Sequence, residues 1–275
     1  FGNSLVADFA IEAVENEKLG EDTNTDFLLI DFSSSDYVGH QFGVNSKEVQ
    51  DTYIRLDKEI ERLLDYFDNK VGPGNYTIFL TADHGATYVP GFLKDSKIPV
   101  NYFNSYKWKK HIENSVLELF KTKKVLVRIS GNQIFLNHKL IEKKNLNFEE
   151  VQSKIMKIMQ SFPGIGNVYS SQEILNSNND HHTTLVRNGF NKNLSGDIVY
   201  TLMPNWKSPR KGSTHGSMYD HDTHVPLIFY GNGIKKGSIS RRTDVIDIAP
   251  TIATVLGINS PDGSTGQVIH EAIDD

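Results

Sequence analysis

The stretch DFLLIDFSSSDYVGHQFG, residues 26–43, decides how the fold is predicted. Its first half, DFLLIDFS, is a near-continuous apolar run, which is typical of a strand in a parallel sheet covered on both faces. Its second half places a carboxylate at Asp36 and an imidazole at His40, with glycines at 39 and 43. We expect the chain to fold back at Gly39, because glycine tolerates turn conformations, so that both side chains face one point.

A second strand of the same kind follows after a helix. Apolar residues at steps of four and three between Val49 and Phe67 predict a helix over residues 46–67, with Ser46 as its N-cap. The run YTIFLTADHG (76–85) then predicts an apolar strand that ends at Asp83 and His84. These elements predict an α/β fold with a mostly parallel sheet flanked by helices.

Residues from about 92 to 205 have a different character. They predict a helix near 106–120, two strands (KVLVRIS and NQIFLN) joined by the turn GN, and a helix in NFEEVQSKIMKIMQ. We interpret this part as a smaller α+β lobe inserted into the core, which divides the chain into 1–91, 92–205 and 206–275. The last part returns to the strand HVPLIFYG and the helix DVIDIAPTIATVLG, where Pro250 is tolerable only if it lies in a first turn or marks a kink.

Composition narrows the possible functions. The 275 residues are 38% hydrophobic and 23% charged, and no apolar run approaches the ~20 residues that span a bilayer. The formal net charge is −5, without a long basic block, so we expect no nucleic acid and no membrane span. A small anionic substrate would need local positive charge. The chain has no cysteine, so any metal is held by oxygen and imidazole ligands.

Three segments carry metal-ligand side chains at or beside a strand end. They hold Asp36 with His40, Asp83 with His84, and His215 with His221 and His224 nearby. The carboxyl ends of parallel strands converge, so the segments can meet. Aspartate and histidine without sulfur suit zinc best, with manganese as a competitor. Two sets suggest two ions, and two divalent ions ~3.5–4 Å apart clamp a phosphoryl group. The sequence therefore predicts phosphoryl transfer or hydrolysis.

Simpler roles are expected for several other polar residues. We place His181 and His182 in an exposed flexible loop, His221 and His224 beside a site or on the surface, Asp244 and Asp247 at the start of the last helix, and Arg210 and Lys211 among solvated loop charges.

Four segments together resemble the alkaline phosphatase superfamily: DFSSSDYVGHQFG, FLTADHGATYVPG, STHGSMYDHDTHVPLIFYGNGI and DVIDIAPTIATVLGI. Within it, the chain is most similar to single-chain bacterial alkaline phosphatases related to nucleotide pyrophosphatase/phosphodiesterases, from Phe1 to about Ile269. The resemblance implies that Asp36, His40 and His215 are ligands of one zinc, and Asp83 and His84 two ligands of a second. Spacing alone leaves the choice between His215, His221 and His224 open.

The family's reaction is hydrolysis of phosphate monoesters through a covalent phospho-enzyme, formed on a serine or threonine beside the metals. By resemblance, that nucleophile and a further aspartate ligand belong to an amino-terminal part that would precede Phe1. We therefore expect no catalytic nucleophile in this chain, which begins without a leader as a truncated or processed product would. Alone it should be inactive, with the amino-terminal part of the same protein, or a second chain, as its partner.

The resemblance also implies a periplasmic or exported protein. Other functions stay open at this point. A phosphodiesterase or nucleotide pyrophosphatase would show the same ligands, cofactor-independent phosphoglycerate mutases share part of the pattern, and a non-catalytic domain would keep the metal without turnover.

Overall fold

The computed structural model describes residues 1–176, 180–208 and 211–274. Its helices are α1 (Gly2–Glu17), α2 (Ser34–Phe42), α3 (Lys47–Lys70), α4 (Pro90–Asp95), α5 (Ser105–Phe120), α6 (His138–Lys143), α7 (Phe148–Gln160), α8 (Ser171–Asn176), α9 (His181–Asn188), α10 (Asp220–Thr223) and α11 (Ile248–Val255). Its strands are β1 (Thr77–Thr81), β2 (Leu126–Ser130), β3 (Gln133–Leu136), β4 (Ile165–Ser170), β5 (Ile198–Leu202) and β6 (Leu227–Gly231). Within the described ranges, no helix is both long and apolar enough to cross a membrane.

The chain forms two compact units. The first comprises Phe1–Val38, Ser46–Gly85 and His224–Asp275, and the second comprises Gly39–Asn45 and Ala86–Thr223. The α/β class predicted from the sequence is confirmed, since both units combine helices with sheets.

The first unit is built on the pair α1 and α3. Ala7, Ala10 and Leu63 are buried between them, with Ile30 and Phe32 packed against this cluster. Small alanines let the two helix backbones approach closely. The apolar stripe of α3 thus finds its partner in α1, and burial of such a stripe provides most of the stability of a helix.

Helix α3 begins where the sequence predicted. The Ser46 Oγ accepts a hydrogen bond from the Val49 backbone N–H at 3.1 Å, which satisfies one of the free donors of the first turn. At the other end, Lys70 pairs with Glu15 at 2.8 Å and with Glu21 at 3.0 Å. The N-cap prediction is confirmed, and the helix continues three residues beyond the predicted Phe67.

The sheet of the first unit is antiparallel, so the prediction of a mostly parallel sheet was wrong for the strands described here. Strand β1 pairs with β6, with Thr77 opposite Gly231 and Thr81 opposite Leu227. An apolar strand sequence reports burial on both faces and does not report the direction of its neighbour, which is why the pattern misled.

The predicted strand at 26–33 was also wrong. These residues run without regular structure and pair with no strand among the described residues. Ile30 and Phe32 pack inward, whereas Phe27 and Leu29 are 62% and 81% exposed. The Phe27 ring stacks on the Phe79 ring of β1, with centroids 6.1 Å apart. A strand needs a hydrogen-bonded neighbour as well as apolar side chains, and the sequence reports only the side chains.

The last helix of the first unit begins as expected. The Asp244 backbone N–H donates to the Asp247 carboxylate at 2.9 Å in a capping arrangement, and a short 3-10 turn leads into α11. Pro250 is the third residue of α11, within the first turn, where its missing N–H has no helical partner to lose.

The second unit is an α+β structure around one core. Its four-stranded antiparallel sheet has the order β2, β3, β5, β4, and β2 and β3 form the predicted hairpin. Gly131 in the hairpin turn has φ +55°, a conformation that glycine adopts readily. Trp108 and Ile112 of α5 and Ile155 of α7 are fully or almost fully buried against this sheet.

The second unit extends to both sides of residues 92–205, because flanking residues bond to it. The Phe103 backbone N–H donates to the Lys207 carbonyl at 2.8 Å, and Tyr102 and Lys207 form an isolated parallel bridge. Further along, the Thr87 N–H donates to the Thr214 carbonyl at 2.7 Å. The unit therefore spans 86–223 and includes 39–45.

Candidate metal-binding site

Asp36 and His40 lie on one helix, α2, so the predicted turn at Gly39 was wrong. An α-helix has 3.6 residues per turn, and residues four apart therefore lie on the same face. Asp36 lies in the first turn, where the helix dipole favours a carboxylate, and His40 in the last. Of the two glycines in this stretch, Gly39 and Gly43, it is Gly43, just after the helix, that has a positive φ, +93°. A Cβ there would lie 2.5 Å from Val89 Cγ2.

In the first unit, Asp36 and His84 are close together. A carboxylate oxygen of Asp36 and a ring nitrogen of His84 lie within 4.8 Å of each other. His84 follows the end of β1, and its Nδ1 lies 2.8 Å from the Gly85 carbonyl oxygen. A carbonyl only accepts, so Nδ1 donates a proton to it, and Nε2 is the ring nitrogen left to face a metal. Asp83, whose carboxylate is exposed, lies 3.4 Å from that Nε2.

In the second unit, His40 and His215 are neighbours. Their ring centroids lie 5.1 Å apart, with the ring planes at 38°. The Nδ1 of His40 lies 3.0 Å from the Ser213 carbonyl oxygen, two residues before His215. By the same reasoning, His40 carries its proton on Nδ1 and presents Nε2. Such a hydrogen bond fixes the tautomer and ring orientation of metal-ligating histidines.

The segment 212–215 is attached to helix α2 by backbone bonds. The Ser213 N–H donates to the Gly39 carbonyl at 2.8 Å, and the Ser213 Oγ accepts from the Val44 N–H at 3.0 Å. Gly212 has φ +52°, and a Cβ there would lie 2.2 Å from the His40 carbonyl oxygen. Gly39, the expected hinge, thus serves as a hydrogen-bond acceptor, and Gly212 supplies the close approach.

A buried threonine holds the same segment from the other side. Thr87, 4% exposed, donates its hydroxyl to the Thr214 carbonyl at 2.9 Å and accepts from the Thr214 N–H at 3.1 Å. Sequence reasoning missed Thr87, Gly212 and Ser213. They flank the motifs TADHG and THG, and that proximity was the only available signal.

His221 lies in α10 of the second unit. Its Nε2 is 3.3 Å from the Ser217 Oγ, and its ring centroid is 5.8 Å from that of Tyr219. Burial lowers the pKa of His221, while the neighbouring carboxylates Asp222 and Asp220 act in the opposite direction. His221 therefore has a packed environment of its own. His224 is exposed in the first unit.

The pair His181 and His182 is exposed as predicted, but it begins a helix, α9, where a loop was expected. Asp180 caps this helix by accepting from the Thr183 N–H at 2.9 Å, which explains why NDHHTT folds as a helix start. Arg210 lies outside the described residues, and Lys211 is exposed.

The donor set suits zinc. It consists of carboxylate oxygens and imidazole nitrogens, and two imidazoles, His40 and His84, already have Nδ1 satisfied by backbone carbonyls. Zinc in proteins binds such nitrogens at ~2.0–2.1 Å and carboxylate oxygens at ~2.0–2.2 Å. Helix α2 carries Asp36 of the first unit and His40 of the second, so it connects the candidate ligands of the two units along the chain.

Comparison with known proteins finds relatives whose sequences align with almost the whole chain. A model of the family described as type I phosphodiesterase / nucleotide pyrophosphatase matches residues 3–226. A protein named calcium-transporting ATPase, from Myroides odoratus, is 40% identical over 279 residues, covering 99% of this chain and 51% of that protein. Alkaline phosphatase PafA of Elizabethkingia meningoseptica is 36% identical over 276 residues, covering 99% and 50%. Alkaline phosphatase PhoV of Synechococcus elongatus is 36% identical over 282 residues, covering 99% and 49%.

Solved structures with a similar fold cover almost the whole chain as well. The crystal structure of wild-type alkaline phosphatase PafA superimposes with a TM-score of 0.91 at 36% identity, covering 100% of this chain and 53% of the other. Human ectonucleotide pyrophosphatase / phosphodiesterase 5 has a TM-score of 0.66 at 13% identity, covering 98% and 63%, which shows a shared fold alone. The chain spans about half the length of the curated relatives it matches. The resemblance expected from the motifs is confirmed.

Proposed function

The chain belongs to the type I phosphodiesterase / nucleotide pyrophosphatase family, and on this premise we propose that it is the metal-binding part of a zinc-dependent phosphatase that hydrolyses phosphate monoesters. Two relatives at 36% identity are named alkaline phosphatases, which supports the monoester reaction. The observation that carries the proposal is the pairing of imidazole and carboxylate ligands at helix α2.

Our ligand assignment keeps the two sets of residues that the family resemblance implies. We assign Asp36, His40 and His215 to one zinc, and Asp83 and His84 to the other. The 5.1 Å separation of the His40 and His215 rings supports the first set. Asp36 lies within 4.8 Å of His84, a ligand of the other set. Ions ~3.5–4 Å apart bring ligands of neighbouring ions this close, so the short distance is compatible with two sites.

The proposed phosphate ester hydrolysis depends on the bound zinc and on the imidazole and carboxylate groups that would hold it. Bound zinc would supply positive charge to stabilise the charge that develops on a transferred phosphoryl group. The protein's part is to hold the imidazoles in a fixed orientation, through the carbonyls of Ser213 and Gly85, and to supply the carboxylates. We propose that the phosphoryl group passes through a covalent phospho-enzyme whose nucleophilic hydroxyl lies outside this chain.

The proposed function includes a partner segment that pairs with residues 26–33. The segment 26–33 lies beside β1, with Phe27 stacked on Phe79, yet no strand in the described part of the chain pairs with it. An unpaired sheet edge, and an apolar segment lying beside it, are places where a further strand can add. We propose that the amino-terminal part of the same protein, or a second chain, supplies that strand. By the same family resemblance, we propose a periplasmic or exported location.

A phosphodiesterase or nucleotide pyrophosphatase is the second candidate, favoured by the description of the family itself. It shares the ligand set and differs in substrate. A third possibility is a domain that binds zinc without turnover.

Zinc content and hydrolysis, measured together, test the proposal. The zinc content of the chain 1–275 is determined by elemental analysis, and hydrolysis of p-nitrophenyl phosphate and bis-p-nitrophenyl phosphate is assayed for the chain and for the whole protein. We expect zinc in both samples, and monoester hydrolysis only in the whole protein.

The alternatives give different results. Faster hydrolysis of the diester would favour the phosphodiesterase, and zinc without any turnover in the whole protein would favour the non-catalytic domain. A chain without zinc would contradict the ligand assignment, and turnover by the chain alone would contradict the external nucleophile.

A further inference from the structure

A short part of the second unit is strongly basic. Residues 107–128 contain seven cationic side chains and two acidic ones, a net charge of +5 in a chain whose formal net charge is −5. The cations are Lys107, Lys109, Lys110, Lys121, Lys123, Lys124 and Arg128. The rest of the chain is acidic, so positive charge is concentrated in this segment. An anion is therefore attracted to it electrostatically.

The fold gathers four of these cations around one cavity. Helix α5, the short turn at Lys123–Val125 and strand β2 border an open surface cavity of about 340 Å³, whose lining includes Lys109, Lys123, Lys124 and Arg128. Glu113 is the one acidic residue in this lining, and it lies 4.0 Å from Lys109. Among the described residues, Lys123, Lys124 and Arg128 have no ion-pair partner.

The cations stand on a rigid support. Val125 is fully buried, and its carbonyl accepts from the Asn137 N–H at 2.8 Å. The Asn137 amide donates to the Lys124 carbonyl at 3.1 Å, and the Lys124 N–H donates to the Thr122 hydroxyl at 3.2 Å. The Arg128 guanidinium lies over the Phe135 ring, 4.4 Å from its centroid. The hydrogen bonds hold the backbone around Lys124, and the stacking restrains the Arg128 side chain, which therefore loses less conformational entropy when an anion binds.

We propose that this cavity binds an anion of two or more linked phosphates, such as diphosphate or triphosphate. Four cations against one carboxylate match several negative charges in a small space. The volume lies near the lower end of the ~300–1,000 Å³ typical of ligand sites, which fits a small anion. The cavity is built from second-unit residues other than the assigned metal ligands, so it would bind the anion whether or not the protein hydrolyses phosphate esters.

Another cavity of the second unit provides a matched control. About 390 Å³ in volume, it is lined by Asn147, Glu149, Glu150, Ser153, Lys154 and Lys157. It offers two lysines and two glutamates, so its net charge is neutral. If lysines on the surface bound phosphate without regard to their surroundings, Lys154 and Lys157 would serve as well as Lys123 and Lys124.

The test is calorimetric titration of the 1–275 chain with triphosphate, at low salt and at 0.3 M salt. We expect K123Q/K124Q to weaken binding by about tenfold or more, and K154Q/K157Q to change it less than about twofold. Raising the salt should weaken wild-type binding, because the contact is ionic. Circular dichroism of each variant checks that the fold is kept.

A second background separates this cavity from the metal-binding site. In H215A the effect of K123Q/K124Q should persist in full if the cavity is the binding site. The proposal is overturned if K123Q/K124Q binds as tightly as wild type, if the control variant loses affinity equally, or if H215A alone abolishes binding.

Discussion

The Nδ1 atom of His40 lies 3.0 Å from the carbonyl oxygen of Ser213, a residue 173 positions further along the chain. The bond fixes the tautomer of His40 and joins helix α2 to the segment that carries His215. One contact therefore orients His40 and positions the segment of His215, the two residues that we propose as ligands of one zinc. This dual role makes Ser213 and its neighbour Gly212 sensitive positions, although neither is a proposed metal ligand.

Gly212→Ala should weaken zinc binding. Its added Cβ would lie 2.2 Å from the His40 carbonyl oxygen, so α2 or the segment 212–215 must shift. We expect zinc affinity, measured by competition with a chelating dye, to fall about 10-fold or more, as when partners of ligands are changed.

Gly131→Ala is the control for that change. Gly131 has φ +55°, close to the +52° of Gly212, but an added Cβ there meets nothing within 4 Å. Both substitutions carry the same backbone strain, and only Gly212→Ala carries the clash. Equal zinc affinities in the two variants would show that backbone strain, and not the position of His40, explains the loss.

His215→Ala should remove one bound zinc per chain, whereas His221→Ala should leave the zinc content unchanged. His215 neighbours His40, and His221 contacts Ser217 and Tyr219. Elemental analysis of dialysed protein gives the stoichiometry. The reverse result, loss of zinc in His221→Ala alone, would reassign the ligand.

Thr87→Val should destabilise the second unit. The substitution keeps the shape but removes the hydroxyl that bonds both the carbonyl and the N–H of Thr214. A buried group left without its partner costs about 1–3 kcal/mol, so urea unfolding should show a loss of that order. Thr184→Val is the control, because the Thr184 hydroxyl bonds to the Asp180 carbonyl at an exposed site. Similar losses in both variants would argue against a special role for Thr87.

The stability of the second unit should fall as the pH drops below 6.5, in part through His221. Burial lowers the pKa of the folded-state imidazole below its ordinary 6.5, against the opposing effect of Asp222 and Asp220. The unfolded chain then binds more protons, so this contribution is present above pH 6.5 and is lost as the pH falls toward the folded pKa.

His221→Gln should flatten that dependence. The melting temperatures of wild type and variant, compared from pH 7.5 to 5.5, should converge as the pH falls. His181→Gln, at an exposed position, should follow the wild-type curve. A His221→Gln curve parallel to wild type would mean that His221 titrates alike in both states.

Local signals in the sequence were reliable, and long-range ones were not. Ser46 as an N-cap and Pro250 in a first turn depend on neighbouring residues, and both were predicted correctly. The direction of β6 beside β1 and the missing neighbour of 26–33 depend on residues distant in sequence, which apolar patterns do not encode.

At the candidate site, too, the sequence carried signals for local features and none for long-range contacts. The sequence offered Asp36, His84 and His215 as candidate ligands because aspartate and histidine are residue types that bind metal ions. The four-residue step from Asp36 to His40 was recognised, but a turn was expected where a helix gives the same result more simply. The bond from His40 to Ser213 had no signal at all, because a backbone acceptor is supplied by every residue type.

Leu29→Asp should disrupt association with the part of the protein that we propose to pair with segment 26–33. Leu29 is 81% exposed in the chain described here, so the substitution should leave the first unit folded. If a strand covers the segment, an aspartate there would be buried without a partner, at a cost of several kcal/mol. We expect co-purification of the chain 1–275 with the separately expressed amino-terminal part to be lost.

Leu194→Asp supplies the comparison, since Leu194 is 76% exposed in the second unit and makes no part of this surface. It should co-purify like wild type. Loss of co-purification in both variants would indicate general destabilisation, and retention in both would mean that the strand is not added at segment 26–33. Retention by Leu194→Asp alone would place the partner beside β1, because Phe27 and Phe79 connect that segment to the strand.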